Sequence, residues 1–458
     1  MNRIIQFHEG QNRKLQVFCA RYIPAKWREK RESILDLTFY FLFLFYTVGA
    51  NFYGFSLGLR LLLHSITLLL ALSLFCEPNP EPASPDLFWT FAYYLLGIGS
   101  LATCIVVRGK AYLLLSLVWL ILFPFARSVL KRDVFYLWLK RFCITLCRFF
   151  VAVLAISLVL SPLTESQYVG IYSDPNDLAM ICVMALISNL FLYHVEKTKK
   201  KERHVIFSII ATTLILFSRS RTGMVMMFWV YVMYIAYLLV HKEVVVRRIS
   251  KFIAGNVLCY LILYLVLSYG TPISAHAIYP LINPAYKEQL EKQDGKEITF
   301  EESLSLLLQK SMKGAGDNMD VSSGRIRIWQ AGIKKMSVFG HLDERVYVRT
   351  YEHRRMLLHN AVLQIWYSTG VFGMVGYLLL MGNIAKKSLR GIRRFSALSV
   401  ENIVVLSFLG CYAVYLLFFS SYHPFASPLT WIAFFASMAP PFENENVIER
   451  RKLHAQSH

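Results

Sequence analysis

Three short polar clusters interrupt an otherwise apolar chain, and each contains a residue type suited to phosphate or sugar chemistry. The clusters are FSRSRTGM (217–224), SSGRIRIW (322–329) and the pair His359–Asn360. Arginine side chains bind phosphate oxygens, whereas an imidazole acts as a general base at neutral pH. A base beside phosphate-binding arginines is a common arrangement for transferring a group off a phosphate leaving group.

The first cluster lies where two apolar runs meet, which places Arg219 and Arg221 near a membrane boundary. Arginine is costly inside a membrane, so such a pair indicates a functional site. The alternative is that each side chain extends to the interface and contacts a lipid phosphate. A single arginine would fit that alternative, but the tight Ser-Arg-Thr-Gly turn around Arg221 favours a binding role.

The second cluster places Arg325 and Arg327 in the first turn of a predicted helix, directly after two serines and a glycine. Backbone N–H groups and the helix dipole favour an anion at this position. A cation in this first turn is unfavourable unless an anion lies between it and the N–H groups of the helix N-terminus. Arg327 fits a solvated surface residue equally well, so Arg325 is the better candidate for binding an anion.

The third cluster, His359 and Asn360, begins an apolar run. On its own, an interfacial histidine with satisfied hydrogen bonds is the simpler interpretation. An imidazole can serve as a base at neutral pH, however, and arginine cannot. Patterns for other chemistry (HExxH, a P-loop, GxSxG) do not occur in the sequence. SDPND (173–177) and DNMD (317–320) lack a full calcium-loop pattern, so no metal site is predicted.

The elements that must position these clusters are membrane helices. Of 458 residues, 56% are hydrophobic and only 17% are charged. Long apolar runs recur throughout, which predicts an all-α, polytopic membrane bundle of about twelve transmembrane helices with a long helical extracytoplasmic loop. The runs are 34–50, 55–76, 87–107, 111–130, 142–161, 176–195, 204–219, 222–240, 252–269, 357–383, 402–420 and 422–440.

The formal net charge of +20 is concentrated between these runs, as the positive-inside bias produces, and does not indicate nucleic-acid binding. It predicts both termini in the cytoplasm. The exceptions are the acidic stretch 77–86, which falls inside, and RGK (108–110), which falls outside. The predicted divisions are a basic N-terminus (1–33), helices one to nine (34–269), an extracytoplasmic loop (270–356), helices ten to twelve (357–440) and a cytoplasmic tail (441–458).

The extracytoplasmic loop has its own helical signals. TFEESLSLLLQK (299–310) begins with a capping-box spacing, and KGAGDN (313–318) follows as a flexible break. A second helix is predicted over 322–336, ended by Gly340. The residues expected to share its apolar face are Ile326, Trp329, Ile333 and Met336.

Three segments resemble the O-antigen ligase and O-antigen polymerase superfamily. They are SRTG (220–223), SGRIRIWQAGIKKMSVFGH (323–341) and LHNAVLQIWYSTGVFGMVGYLLL (358–380), and they occur in the family's order. SDPNDLA (173–179), with Asn176, is similar to an upstream Pro-Asn element of many members. SVFGH departs from the commoner Pro-containing, Gly-rich version, which leaves the local turn open.

The resemblance implies a metal-independent, cofactor-free enzyme that transfers glycan from an undecaprenyl diphosphate carrier on the outer face of the bacterial cytoplasmic membrane. Carried over by motif, Arg221 and Arg325 would bind the diphosphate and His359 would be the base. Arg219 and Arg327 remain alternatives within each pair. The residues expected to support the site are Asn176, Trp329 and Asn360.

Two activities fit this family pattern. A polymerase joins lipid-linked repeat units of O-antigen, capsule or exopolysaccharide, whereas a ligase moves a finished glycan onto lipid A-core or another envelope acceptor. The basic outer stretches ERVYVR and EHRR favour the polymerase, because they could hold a second lipid diphosphate. A chain-length regulator is a further candidate partner. A flippase fits less well, since transporters place polar residues near the bilayer midplane.

Overall fold

The structure is a computed structural model. It describes residues 2–50, 56–76, 87–130, 132–163, 167–198, 201–241, 245–282, 325–342, 345–348, 354–393, 399–420 and 423–438. The predicted helix at 299–310, the break at 313–318 and the predicted tail at 441–458 lie outside these residues.

The described chain is mainly helical. The first helices are α1 (Asn2–Tyr22), α2 (Ala25–Glu29), α3 (Arg31–Gly49), α4 (Leu57–Phe75), α5 (Leu87–Val107), α6 (Lys110–Leu117), a π-helical turn (Val118–Leu122), α7 (Phe123–Val129), α8 (Arg132–Leu160) and α9 (Pro175–Val195). Then follow α10 (Glu202–Ser218), α11 (Arg221–Val240), α12 (Val245–Leu265), a second π-helical turn (Val266–Gly270), α13 (Thr271–Ile282), α14 (Arg325–Ile333), α15 (Ala361–Arg393), α16 (Val400–Phe418) and α17 (Pro428–Met438).

Ten of these helices are long and apolar enough to cross a membrane, within the part of the chain that the structure describes. They coincide with ten of the twelve predicted runs. The seventh run forms α10, with 17 residues, and the twelfth forms α17, with 11 residues. The ninth continues through the second π-helical turn into α13, beyond its predicted end at 269. The predicted all-α, polytopic membrane bundle is confirmed.

One compact unit comprises Met1–Ile34, Leu70–Leu139 and Arg327–His458. In this unit, the backbones of α15 and α5 pack close together. A side chain at Gly376 would come within 2.6 Å of the Ala92 carbonyl oxygen, so only glycine permits this approach. The Tyr377 and Tyr412 hydroxyl groups, 3.0 Å apart, are hydrogen-bonded within the same core.

The second unit comprises Leu35–Leu69 and Lys140–Ile326. Its centre is α9, in which every residue from Leu178 to Asn189 is buried. A helix that is apolar and buried on all sides must be enclosed by its neighbours. α10 and α11 pack against α9, and α12 packs against α10. The central position of α9 matters because its N-terminus carries Asp174 and Asn176.

Helix α15 is interrupted at Gly370, which has a left-handed backbone with φ of +73°. Glycine adopts this conformation without steric cost. A break inside a membrane helix leaves backbone groups that need new partners. The loop containing Val338 and His341 supplies them: Val371 N–H donates to Val338 O at 3.0 Å, and His341 N–H donates to Tyr367 O at 3.1 Å.

This arrangement corrects two expectations about the segment before the loop. The predicted helix over 322–336 ends at Ile333, so Gly340 does not close it. The predicted apolar face is also wrong, because Ile326 and Ile333 are half exposed, whereas Ile328 and Gly332 are buried. The Leu358 side chain packs directly over Gly332, so the side of α14 that carries Gly332 is the packed side.

A two-stranded antiparallel hairpin, β1 (Val346–Val348) and β2 (Arg354–Met356), lies within the segment predicted to be helical. Val346 pairs with Met356 and is fully buried. It joins a small apolar cluster with Ile328, Leu358 and Tyr367. The hairpin therefore leads directly into the residues before His359.

Candidate active site

The site in the second unit is built on the capped N-termini of α9 and α11. Asp174 caps α9: its Oδ1 atom accepts hydrogen bonds from Asn176 N at 2.7 Å and from Asn176 Nδ2 at 2.8 Å. Ser220 caps α11, because its Oγ atom accepts a hydrogen bond from Gly223 N at 3.0 Å. Such caps satisfy N–H groups that the helix itself leaves without partners.

Asn176 joins the two caps. The Ser220 hydroxyl donates to Asn176 Oδ1 at 2.6 Å. The amide of Asn176 therefore contacts both capping side chains. Asn176, a predicted supporting residue within SDPND, therefore joins that motif to SRTG and links the two helix N-termini.

Arg221 and Arg325 are each the first residue of a helix, α11 and α14 respectively. They are close enough to interact electrostatically with each other, and Arg325 also interacts with Asp174. Burial lowers the pKa of Arg325, the Asp174 carboxylate raises it, and the neighbouring Arg221 lowers it. Arginine side chains are effectively always protonated in proteins.

Arg221, Arg325 and Asp174 place two guanidinium groups and one carboxylate in this cluster. The positive ends of the α9 and α11 dipoles lie at the helix N-termini beside them. The arrangement suits an anion with several oxygen atoms, such as a diphosphate.

The other two arginines of the predicted pairs have different surroundings. Arg219 is buried, and its carbonyl oxygen accepts a hydrogen bond from Gln167 Nε2 at 3.2 Å. Arg327 is exposed. These positions favour Arg221 and Arg325 over Arg219 and Arg327 as anion ligands.

His359 lies in the first unit, where three side chains hold the backbone that presents it. Its own N–H donates to Ser420 Oγ at 2.8 Å. The preceding residue, Leu358, donates its N–H to Gln364 Oε1 at 2.9 Å, and its carbonyl oxygen accepts from Trp329 Nε1 at 2.7 Å. Trp329 therefore contacts the residue directly before the histidine, and its role in supporting the site stays a prediction.

Sequence reasoning missed Gln364 and Ser420 as supports of His359. Gln364 falls one turn into α15, where a glutamine in an apolar run is a detectable signal because a buried amide needs partners. Ser420 has no such signal, since it is remote in sequence and follows α16 as one serine among several.

Asn360 caps α15. Its Oδ1 atom accepts a hydrogen bond from Leu363 N at 3.0 Å, and its carbonyl oxygen accepts from Gln364 N. The oxygen of this side chain therefore begins the helix directly after His359, and the predicted supporting role of Asn360 stays a prediction.

The backbone of His359 is left-handed, with φ of +48°. Within the described ranges, Arg108, Arg219 and His359 are the non-glycine residues with positive φ. Two of them therefore belong to the three clusters selected from sequence. Left-handed backbone costs a β-carbon-bearing residue free energy, and such strain concentrates at functional positions.

The clusters also agree with a known family. Residues 206–378 match the family model described as O-antigen ligase. The chain carries an O-antigen ligase domain. This match supports the O-antigen ligase and polymerase superfamily that the resemblance predicted, and with the apolar helices it supports a membrane enzyme of that type. No curated protein and no solved structure matches the chain.

The O-antigen ligase domain contains all three clusters, whereas Asp174 and Asn176 precede it. The structure brings Arg221 and Arg325 together in one compact unit, and holds Trp329 and His359 together in the other. The predicted convergence of His359 with the two arginines stays a prediction.

Gly223→Ala tests the packing that positions Arg221 in the O-antigen ligase domain. A β-carbon at Gly223 would lie 2.5 Å from the β-carbon of Ala179 on α9. We expect overpacking to reduce stability by about 1–3 kcal/mol and to lower transfer activity as α11 shifts. Thermal unfolding of the purified protein measures the change. Gly382→Ala is the control, because nothing lies within 4 Å of its added β-carbon; equal destabilisation by both changes would contradict the prediction.

Proposed function

We propose that this chain is an inverting, metal-independent glycosyltransferase that polymerises surface-polysaccharide repeat units on undecaprenyl diphosphate. Arg221 and Arg325 bind the diphosphate of the donor, and His359 is the base. The enzyme lies in the bacterial cytoplasmic membrane with its active site on the outer face. The O-antigen ligase domain supports the class of reaction.

The observation that carries the proposal is the meeting of Arg221 and Arg325 at helix N-termini. The two residues come from remote parts of the sequence, and each cation opposes the dipole of its own helix. Each such placement is unfavourable by roughly 0.3–1 kcal/mol, and an anion near the helix N-termini offsets it. A bound diphosphate interacts with both arginines, and more negative charge develops on it as it leaves.

In the reaction, His359 accepts the proton of an acceptor sugar hydroxyl. The hydroxyl oxygen then forms a bond to the anomeric carbon of the donor sugar. The bond from that carbon to the diphosphate oxygen breaks, and the electron pair leaves with the diphosphate. Arg221 and Arg325 stabilise the departing charge. A single displacement of this kind inverts the configuration at the anomeric carbon.

Polymerisation requires the acceptor to carry its own lipid diphosphate. The hairpin before His359 supports this, because Tyr347 on β1 and Arg345 directly before that strand are exposed. The ammonium group of Lys335 lies over the Tyr347 ring, 5.8 Å from its centroid. Such a basic and aromatic surface suits a second anionic, sugar-bearing lipid.

Purified protein incubated with a lipid-linked single repeat unit tests the proposal. A ladder of product lengths is the expected result. Transfer that occurs only after a lipid A-core or other envelope acceptor is added would replace polymerase with ligase. Movement of the lipid-linked unit across vesicles without any new glycosidic bond would indicate a flippase and overturn the assignment as an enzyme.

A further inference from the structure

Helix α1 has its polar residues on the packed side. His8, Asn12 and Gln16 are spaced by four residues and therefore share one face. Asn12 and Gln16 are buried. Their contacts within the first unit are Gln16 Nε2 to Phe75 O at 2.5 Å and to Ser128 Oγ at 2.9 Å, Asn12 Nδ2 to Leu120 O at 3.3 Å, and His8 to the Tyr94 hydroxyl.

The apolar residues of α1 lie on the outer side. Phe7, Leu15, Phe18 and Tyr22 are 68%, 38%, 52% and 74% exposed. At about 100° per residue they fall within an arc of roughly 80°. A helix that packs on a protein in water shows the reverse pattern, with its apolar stripe buried. Apolar surroundings suit this arc, in which Gln11 is also exposed.

Membrane-spanning surface continues next to this face. Phe91 and Phe88 lie about one and two turns before Tyr94 on α5, and they are 42% and 49% exposed. α5 is among the helices that are long and apolar enough to cross a membrane. Because Tyr94 contacts His8, the outward face of α1 adjoins the lipid-facing side of that helix.

Lys14 and Arg21 are exposed and border the apolar face along one edge of the helix, at a seven-residue spacing. Arg13 is exposed on the opposite side of the helix. A helix with an aromatic apolar face and a basic border inserts at the level of lipid headgroups. Its cations then contact lipid phosphates, most strongly where the lipids are anionic.

We propose that α1 is an interfacial helix that binds anionic phospholipid, with Phe7, Leu15, Phe18 and Tyr22 among the acyl chains and Lys14 and Arg21 on the headgroup phosphates. The helix thus belongs to the membrane-embedded part of the protein rather than to a solvated basic segment. This inference is independent of the proposed glycan transfer.

Lipid retention tests the cationic border. The full-length protein is reconstituted with phosphatidylglycerol and phosphatidylcholine, re-extracted and purified, and the retained lipid is quantified by mass spectrometry. The double change Lys14→Gln and Arg21→Gln should lower retained phosphatidylglycerol at least about threefold, with phosphatidylcholine unchanged. The matched control is Arg390→Gln and Arg393→Gln, which removes two exposed cations at the end of α15. No loss, or equal loss in the control, overturns the proposal.

Thiol labelling tests the apolar face. In open membrane fragments, a polar maleimide should label a cysteine introduced by Arg13→Cys. It should label one introduced by Phe18→Cys only after detergent is added. The unmodified chain gives the background from its eight cysteines. Equal labelling at both positions in membranes would show that the aromatic face contacts water, and the proposal would fail.

Discussion

His359→Asn is expected to lower glycan transfer by about 10²–10⁴-fold, the usual contribution of a general base. Asparagine is the most informative replacement because it tolerates the left-handed backbone at position 359, where φ is +48°. Its amide cannot take up the hydroxyl proton. Product formation from a purified lipid-linked donor measures the loss, while binding of the donor should change little.

The control for this change is Ser420→Ala. It removes only the acceptor of the His359 backbone N–H, a hydrogen bond of 2.8 Å. A bond of this kind is worth about 0.5–1.5 kcal/mol, so transfer should fall by roughly tenfold or less. If His359→Asn keeps transfer within threefold of the unmodified protein, His359 is not the base. If His359→Asn lowers transfer no more than Ser420→Ala does, His359 only positions other groups.

Arg325→Gln is expected to lower transfer by about 10²–10³-fold, the effect of removing one preorganised donor to a developing negative charge. Arg327→Gln is the matched control, since it lies two residues further along α14 and is exposed. It should retain nearly full activity. Arg221→Gln should resemble Arg325→Gln, because the two guanidinium groups lie in one electrostatic cluster.

Two measurements distinguish binding from catalysis. Turnover reports on catalysis, and inhibition by a lipid diphosphate that carries no sugar reports on binding of the diphosphate. Loss of both arginine side chains should weaken that inhibition as well as transfer. Combining Arg325→Gln with His359→Asn then tests whether both act in one transition state, since residues that act together show non-additive losses. Losses that multiply in the double variant would assign the two residues to separate steps. An equal loss in Arg327→Gln would contradict the choice of Arg325.

The membrane helices and the three polar clusters could be predicted from sequence because their signals are local. A run of about twenty apolar residues specifies a spanning helix almost alone. An arginine or histidine inside such runs is conspicuous because it is costly there. Arg221, Arg325 and His359 could therefore be selected without a structure.

The features that escaped prediction depend on contacts between remote segments. The bond from Ser220 to Asn176 and the bond from His359 to Ser420 join residues far apart in sequence. The buried side of α14 was predicted wrongly because isoleucines occur on more than one of its faces. The close approach of Leu358 to Gly332 decides which side packs, and no periodic pattern reveals it.

The break at Gly370 makes His359 independent of most of the span that follows it. Only Ala361–Thr369, about two and a half turns of helix, connects the histidine to the interruption. That short segment is fastened at one end by Trp329 and Ser420 and at the other by the backbone of Val338 and His341. A spanning helix adapts to bilayers of different thickness by tilting, and we expect such tilting of the helix beyond Gly370 to displace the histidine little.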